Sequence, residues 1–469
     1  MMNRNTKLLK NIFYMFWMFF LPKTFGFLLI PIYTSYLTTS EYGISDIILS
    51  TASLICPIIL LATPSAVMRF TIENKEDVRP FQISFKICLI GIIIFLFLGN
   101  IVTVVFKIDY SLFIYLFFIV VTSSVADIFL SYTKAMERTK LLSYCGVFSC
   151  LVGILCNILF IVVFRFGLYG FLLATIFSYL FSIIFLFINN KIFKLFKNFN
   201  LKKFVLEKEI LSFSIPLVFS GLSWWVISFS DRYIIAIFCG AAANGIYSVA
   251  TKIPIIIQSI DNVFSQAWIF TLYDSYKDNE GKRYITKVNE VYIFILMLST
   301  SILLFLTIPL AEILFTDDFY YAWKIVPPLL LSMVCLCAQG LISNFFSIYK
   351  KTKISMFITI FISVVNCVLN IVLIKITNDP IGAAISSSIS FFVGAVICYV
   401  VVIKISSIEI KFCKQLICFL LLVVQSIYIE FYPDAFIYSV VFLGLIMFVN
   451  LDNCRFLLSK ATSLANRLN

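Results

Sequence analysis

The sequence predicts an all-α polytopic membrane protein of about 14 transmembrane helices: two six-helix lobes followed by two C-terminal helices. Three observations predict it. Of 469 residues, 61% are hydrophobic and only 13% are charged, whereas soluble domains run near half apolar and about a quarter charged. Apolar runs recur at the length a bilayer demands, about 20 residues. Short segments of the first half also recur, in order, in the second.

The first run, 11–37, contains Lys23 and has no small-residue cleavage site, so it reads as a retained helix and not a removable signal. Spans at 44–64 and 82–106 flank a connection with Arg69, Lys75 and Arg79. Spans 111–133 and 141–164 flank Lys134, Arg138 and Lys140, and span 168–189 closes the first set. A basic stretch, 191–209, then separates it from 210–238, 246–272, 288–311, 325–348, 354–374 and 381–403. Spans 412–430 and 435–452 complete the chain, divided by a short turn with Glu430 and Asp434. The expected organisation is therefore an N-terminal lobe at 1–190, a basic linker at 191–209, a C-terminal lobe at 210–404, and 405–469 holding helices 13 and 14 with a tail.

Orientation follows from Lys and Arg, which concentrate on the cytoplasmic side. With the N-terminus inside, 29 of the 36 fall in cytoplasmic connections and four (Lys107, Arg165, Lys324, Lys375) outside. That places both termini in the cytoplasm. It also accounts for the net charge of +12 through topology, without a nucleic-acid partner. The linker reads as a surface for anionic membrane lipid.

The repeat is seen in four pairs. Arg138-Thr139-Lys140 returns as Lys351-Thr352-Lys353, Asn157 as Asn370, Gly170 as Gly382, and Gly43-Ile44 as Gly245-Ile246. Six helices is an even number, so the repeats keep one orientation. The two lobes are expected to be related by a pseudo-two-fold axis along the membrane normal, with a site between them.

Composition narrows the chemistry. There is no His, which removes the commonest metal ligand and general base. The 13 Cys are scattered through apolar runs and read as buried thiols. Cys335 and Cys337 have no partner at zinc spacing. Neither a metal nor a catalytic centre is expected. The informative residues are charges inside spans, which are costly there and usually face a cavity or a partner. Lys23, Arg69, Arg232 and Lys252 are candidates to line a cationic cavity suited to an anionic group such as a diphosphate. Asp46, Asp127, Asp231 and Asp261 are candidates for ion coupling or ion pairing. Asn157 and Asn370 suit interhelical hydrogen bonds. Pro22, Pro31, Pro216, Pro254 and Pro309 mark bends.

Three stretches carry a family resemblance. They are Leu29-Ile30-Pro31-Ile32-Tyr33-Thr34-Ser35-Tyr36-Leu37 with Glu41-Tyr42-Gly43; Ser65-Ala66-Val67-Met68-Arg69-Phe70; and the segment from Pro216 through Trp224-Trp225 and Asp231-Arg232-Tyr233-Ile234 to Gly245-Ile246-Tyr247-Ser248-Val249-Ala250-Thr251-Lys252. Gly382-Ala383-Ala384 adds to them. The chain resembles the polysaccharide exporters, the Wzx-like O-antigen flippases of the multidrug/oligosaccharidyl-lipid/polysaccharide superfamily. It departs from them at Lys134-Ala135-Met136-Glu137-Arg138, where relatives often carry Arg-Ala-x-Gly.

The resemblance implies a two-lobed bundle in the bacterial inner membrane. It implies that undecaprenyl-diphosphate-linked oligosaccharide is flipped to the outer leaflet through a central cationic cavity, and that a polysaccharide polymerase and chain-length regulator act with it. Asp231, Arg232 and Lys252 fall on its motif positions; Lys23 does not. There is no Walker-type loop, so a proton or sodium gradient is the expected drive, with no bound cofactor. An ion-coupled drug exporter of the same superfamily, or a membrane-embedded polymerase or glycosyltransferase, is the alternative. The short outer loops disfavour the last.

Overall fold

In the computed structural model the described residues are 26–196, 208–275, 279–349, 351–405, 412–457 and 459. They form helices joined by tight turns, with no strand among them. Two compact units result, Met1–Ser230 and Asp231–Asn469.

The first unit contains α1 (Ile30–Tyr36), α2 (Thr39–Ile59), α3 (Thr63–Glu73), α4 (Arg79–Phe106), α5 (Tyr110–Ala135), α6 (Thr139–Asn157) and α7 (Gly167–Asn189), together with the first part of α8 (Lys208–Cys239). Its core is aliphatic and aromatic: Leu60, Val67, Phe81, Ile128 and Leu186 form one buried cluster. Ile48, Ile119, Val120 and Leu172 form another. Outward positions of α4 remain apolar, with Phe97, Val104 and Phe106 exposed, as lipid-facing positions of a spanning helix should be.

Local chemistry sets the ends. Thr38 caps α2: its hydroxyl accepts from the Glu41 amide at 3.2 Å while the Glu41 carboxylate accepts from the Thr38 amide at 2.8 Å. The other Glu41 oxygen accepts from the Leu168 amide at 3.4 Å, so the Glu-Tyr-Gly motif also ties down the start of α7. Glu137 has φ +56°, a left-handed value that costs a side-chain-bearing residue. Its carboxylate is 3.1 Å from the Lys75 ammonium.

The expected uninterrupted span 44–64 is instead broken. Leu61 and Ala62 both take left-handed backbones, φ +46° and +51°, between Pro57 inside α2 and Pro64 at the start of α3. Pro64 has no N–H for the Leu60 carbonyl. The Thr63 amide and hydroxyl both donate to that carbonyl instead, at 3.0 and 2.7 Å.

The second unit holds the rest of α8, then α9 (Ala241–Ala250), α10 (Ile255–Ser275), α11 (Asn279–Phe305), α12 (Thr307–Leu314), α13 (Ala322–Ile348), α14 (Thr352–Thr377), α15 (Ile381–Ile405), α16 (Phe412–Phe431) and α17 (Val440–Val449). Pro254 sits at the break between α9 and α10, as expected, whereas Pro216 lies inside a continuous α8 and Pro31 at the start of α1. The two added C-terminal helices are bound to the unit by polar as well as apolar contacts. Fully buried Ser301 on α11 donates to Gln425 on α16 at 2.6 Å.

The repeat is visible in packing. A side chain at Gly170 would meet the backbone of Phe160 at 3.0 Å, and one at Gly382 would meet that of Leu373 at 2.8 Å. Each glycine thus lets one helix approach the helix before it, at corresponding places in the two units.

Eleven described helices are long and apolar enough to cross a membrane, or twelve if the bent pair at Ile437–Val449 and Leu451–Leu457 is one span. Two things separate this from fourteen. Most of the expected first span, 11–25, lies outside the described residues, as do 197–207 of the linker and 460–469 of the tail. The expected span 246–272 is split, and its longer piece, α10, is too polar to qualify.

Candidate functional site

Asp231 is the centre of an extended polar cluster among the described residues. It lies on α8, and α9, α14 and α15 each bring a side chain to it. Its Oδ2 accepts from the Tyr247 hydroxyl at 2.8 Å and from the Ser387 hydroxyl at 3.1 Å. Its Oδ1 accepts from the Asn370 amide at 2.5 Å. Behind these, the Asn370 amide also reaches the Asn366 Oδ1 at 3.2 Å, and the Asn366 amide donates to Ser387 at 3.1 Å. All five side chains are buried, with Asp231 8% exposed and Asn370 completely enclosed.

A buried carboxylate is tolerated where hydrogen bonds replace its lost water, and three donors do so here. One acceptor is left over: Asn370 Oδ1 is buried and receives no hydrogen bond from a described residue. A carboxylate beside an open amide oxygen can hold a proton or a small cation.

Asn370 thus makes the interhelical bonds expected of it. Its repeat partner Asn157 does not; its amide donates to the Gly153 carbonyl of its own helix at 2.7 Å. Asn366 and Ser387 are not singled out by the sequence, and Tyr247 enters there only as part of the family motif. For Asn366 a signal existed: it stands four residues before Asn370, on the same face of α14.

The other candidates are placed as follows. Lys23 lies outside the described residues. Arg69 is at the exposed end of α3, 3.4 Å from Glu73, with its guanidinium carbon 4.6 Å from the centre of the Phe213 ring. An exposed pair of this kind contributes about 1 kcal/mol or less. Arg232 is half-buried beside Asp231 on α8. Lys252 is half-buried in the turn after α9, its amide donating to the Val249 carbonyl at 3.0 Å. Asp46 is half-buried on α2.

Asp127 is exposed on α5 although it lies inside an apolar span. Nearby, the Cys56 thiol is 3.0 Å from the Ser123 hydroxyl. Asp261, on α10, is half-buried and accepts from the hydroxyls of Tyr292 and Ser265. All thirteen cysteines are unbridged thiols, and among the described residues no group of three or more Cys, Asp or Glu is gathered to hold a metal.

Comparison with known proteins places this geometry. The profile of a family of polysaccharide biosynthesis proteins matches residues 8–272, more than half of the chain. No curated protein matches the sequence. Among solved structures, the lipid II flippase MurJ in an inward closed conformation superposes with a TM-score of 0.66 at 16% identity, covering 94% of this chain and 98% of that one. An inward-facing multidrug resistance MATE family transporter of the MOP superfamily gives 0.62 at 15% identity, covering 82% and 94%. The MATE transporter ClbM in complex with Rb+ gives 0.53 at 15%, covering 84% and 93%. At such identities the likeness carries the fold, that of a multi-pass helical membrane protein.

Proposed function

The chain belongs to the polysaccharide biosynthesis protein family, and on that premise we propose that it is a flippase for lipid-linked oligosaccharide. The substrate is an O-antigen-like unit on undecaprenyl diphosphate, moved from the cytoplasmic to the outer leaflet of a bacterial inner membrane by alternating access. The observation that carries the reading is the fold shared with a lipid II flippase over 94% of this chain, in a protein whose family belongs to polysaccharide synthesis.

Physical chemistry makes such a protein necessary. A sugar–diphosphate head crossing hydrocarbon unaided would lose its water partners, at several kcal/mol for each polar group. A polar passage removes that cost while the prenyl tail stays in lipid. Lys23, Arg69, Arg232 and Lys252 are the groups suited to the diphosphate, because cationic donors make charge-assisted hydrogen bonds to phosphate oxygens. Asp231, with its open neighbour Asn370 Oδ1, is the group suited to a coupling proton or sodium ion. The flipped unit would pass to a polysaccharide polymerase and chain-length regulator on the outer face.

Deletion followed by lipid analysis tests the function. Undecaprenyl-linked units should accumulate on the cytoplasmic side with loss of surface polymer; units that still reach the outer leaflet overturn it. A second reading, ion-coupled drug export, is favoured by the fold shared with multidrug transporters. It requires the protein to drive efflux of an organic cation such as ethidium from cells, which the flippase reading does not.

A further inference from the structure

We propose that one face of α10, carrying Gln258, Asp261, Asn262 and Ser265, recognises sugar hydroxyls of the transported unit. The assignment rests on the flippase reading above.

The spacing comes first. These residues stand at i, i+3, i+4 and i+7 of the helix Ile255–Ser275, so they share one stripe. At 1.5 Å per residue the stripe runs about 10 Å along the axis, comparable with a disaccharide. It is also what makes α10 too polar to count among the helices apolar enough to span.

The second observation is that the stripe carries polar atoms the protein does not use. Asp261 Oδ1 accepts from the Tyr292 and Ser265 hydroxyls, while Oδ2 receives no hydrogen bond from a described residue. Gln258 is half-buried and Asn262 exposed, and neither amide is bonded to a described side chain or backbone group. Polar groups at membrane depth that lack protein partners face water or a polar solute, because hydrocarbon offers them nothing.

The carboxylate is nevertheless held firmly. Tyr292 is 1% exposed and stacks on Phe264 with ring centroids 3.8 Å apart. Phe264 in turn stacks on Trp268, which is 2% exposed. One oxygen of Asp261 is thus anchored in an aromatic wall, and the other takes no hydrogen bond from a described residue.

The chemistry selects the ligand. Carboxamides donate and accept, and an anchored carboxylate is a strong acceptor; together they complement neighbouring hydroxyls. The helix carries no Lys or Arg, so it is unsuited to a diphosphate.

The test uses the full chain in lipid nanodiscs with two probes. One is undecaprenyl diphosphate; the other is the same carrier bearing the oligosaccharide isolated from the deletion strain. The wild type should bind the glycosylated carrier more tightly. Asp261→Asn and Asn262→Ala should each weaken that binding by about tenfold, the worth of one good hydrogen bond, and leave bare carrier within about twofold. The exposed Asn262 makes its variant a substitution that folding tolerates. Equal affinity of the wild type for both probes overturns this assignment and leaves the flippase reading standing. So does equal weakening of both probes in the variants, or sodium dependence lost in Asp261→Asn with sugar discrimination intact. A wild type that binds neither probe overturns both readings.

Discussion

The two repeats use the same positions differently. In the second unit Asp231, Tyr247, Asn370 and Ser387 bond to one another across four helices. At the positions that the repeat pairs with them, the first unit has Leu29, Ser45, Asn157 and Thr175. There the polar groups turn back on their own helices: Ser45 donates to the Tyr42 carbonyl at 2.8 Å, Asn157 to Gly153 at 2.7 Å and Thr175 to Phe171 at 3.1 Å. One carboxylate makes the difference. Without it, short polar side chains satisfy themselves locally; with it, they converge on the charge. The helices diverge accordingly: after Asn157 the first repeat passes into a π turn, Ile158–Val163, whereas α14 stays regular to Thr377. Among the described residues, these paired positions converge on a buried carboxylate in the second unit alone.

Replacing Asp231 by the first repeat's residue, Asp231→Leu, should have the largest effect. It strands the donors of Tyr247, Asn370 and Ser387, at about 1–3 kcal/mol for each group left unsatisfied. Surface polymer should be lost, and the thermal midpoint of the purified protein should fall steeply. Asp231→Asn, which keeps the shape, should fold better than Asp231→Leu while still failing to support export. If Asp231→Leu matches the wild type in both assays, the contrast between the units has no consequence.

The shared glycines probe what the repeats have in common. Gly170→Ala and Gly382→Ala should each cost about 1–3 kcal/mol by overpacking, read as lower thermal midpoints. Gly382→Ala should be the worse, because its added carbon meets backbone atoms more closely.

The asparagines sharpen the contrast further. Asn370→Ala should cost about 1–2 kcal/mol, the upper end for interhelical bonds in membranes. Asn157→Ala, which breaks a local bond, should cost about half a kcal/mol or less. Equal losses in unfolding titrations would show that the local and interhelical bonds are equivalent.

The smallest effect lies in a surface turn of the first unit. The Arg79 guanidinium, 2.8 Å from Asp77, holds that carboxyl below its ordinary value of 3.8. A lowered folded value contributes stability above the unfolded value and loses it as pH falls through the folded one. Arg79→Ala should therefore lower the thermal midpoint slightly at neutral pH, by less than about 1 kcal/mol for so exposed a pair. Wild type and variant should converge on acidification below the usual carboxylate range.

Much of the bundle was legible from the sequence. Apolar run length located the helices of 82–106, 111–133 and 354–374 within a few residues, since hydrocarbon thickness sets that length. The break at Leu61 and Ala62 was not legible, because two ordinary apolar residues adopt left-handed backbones there only under the surrounding packing and Pro64. The polar cluster was half legible. Asp231 and Asn370 stood out as polar residues in apolar runs, whereas Ser387 is unremarkable in sequence and Tyr247 shows only as part of the family motif; both acquire their role by facing the carboxylate.

Composition, run length and the distribution of Lys and Arg determined by themselves that this is a helical membrane protein, and short recurring segments pointed to an internal repeat. These are sums along the chain, and the bilayer responds to sums. Only the tertiary structure decided that Asp231 is satisfied by three other helices while Arg69 ends in an exposed ion pair, and that among the described residues only one oxygen of Asp261 is bonded. Those outcomes depend on which side chains from distant segments meet within hydrogen-bonding distance, and a hydrogen bond is decided by ångströms that sequence spacing does not contain.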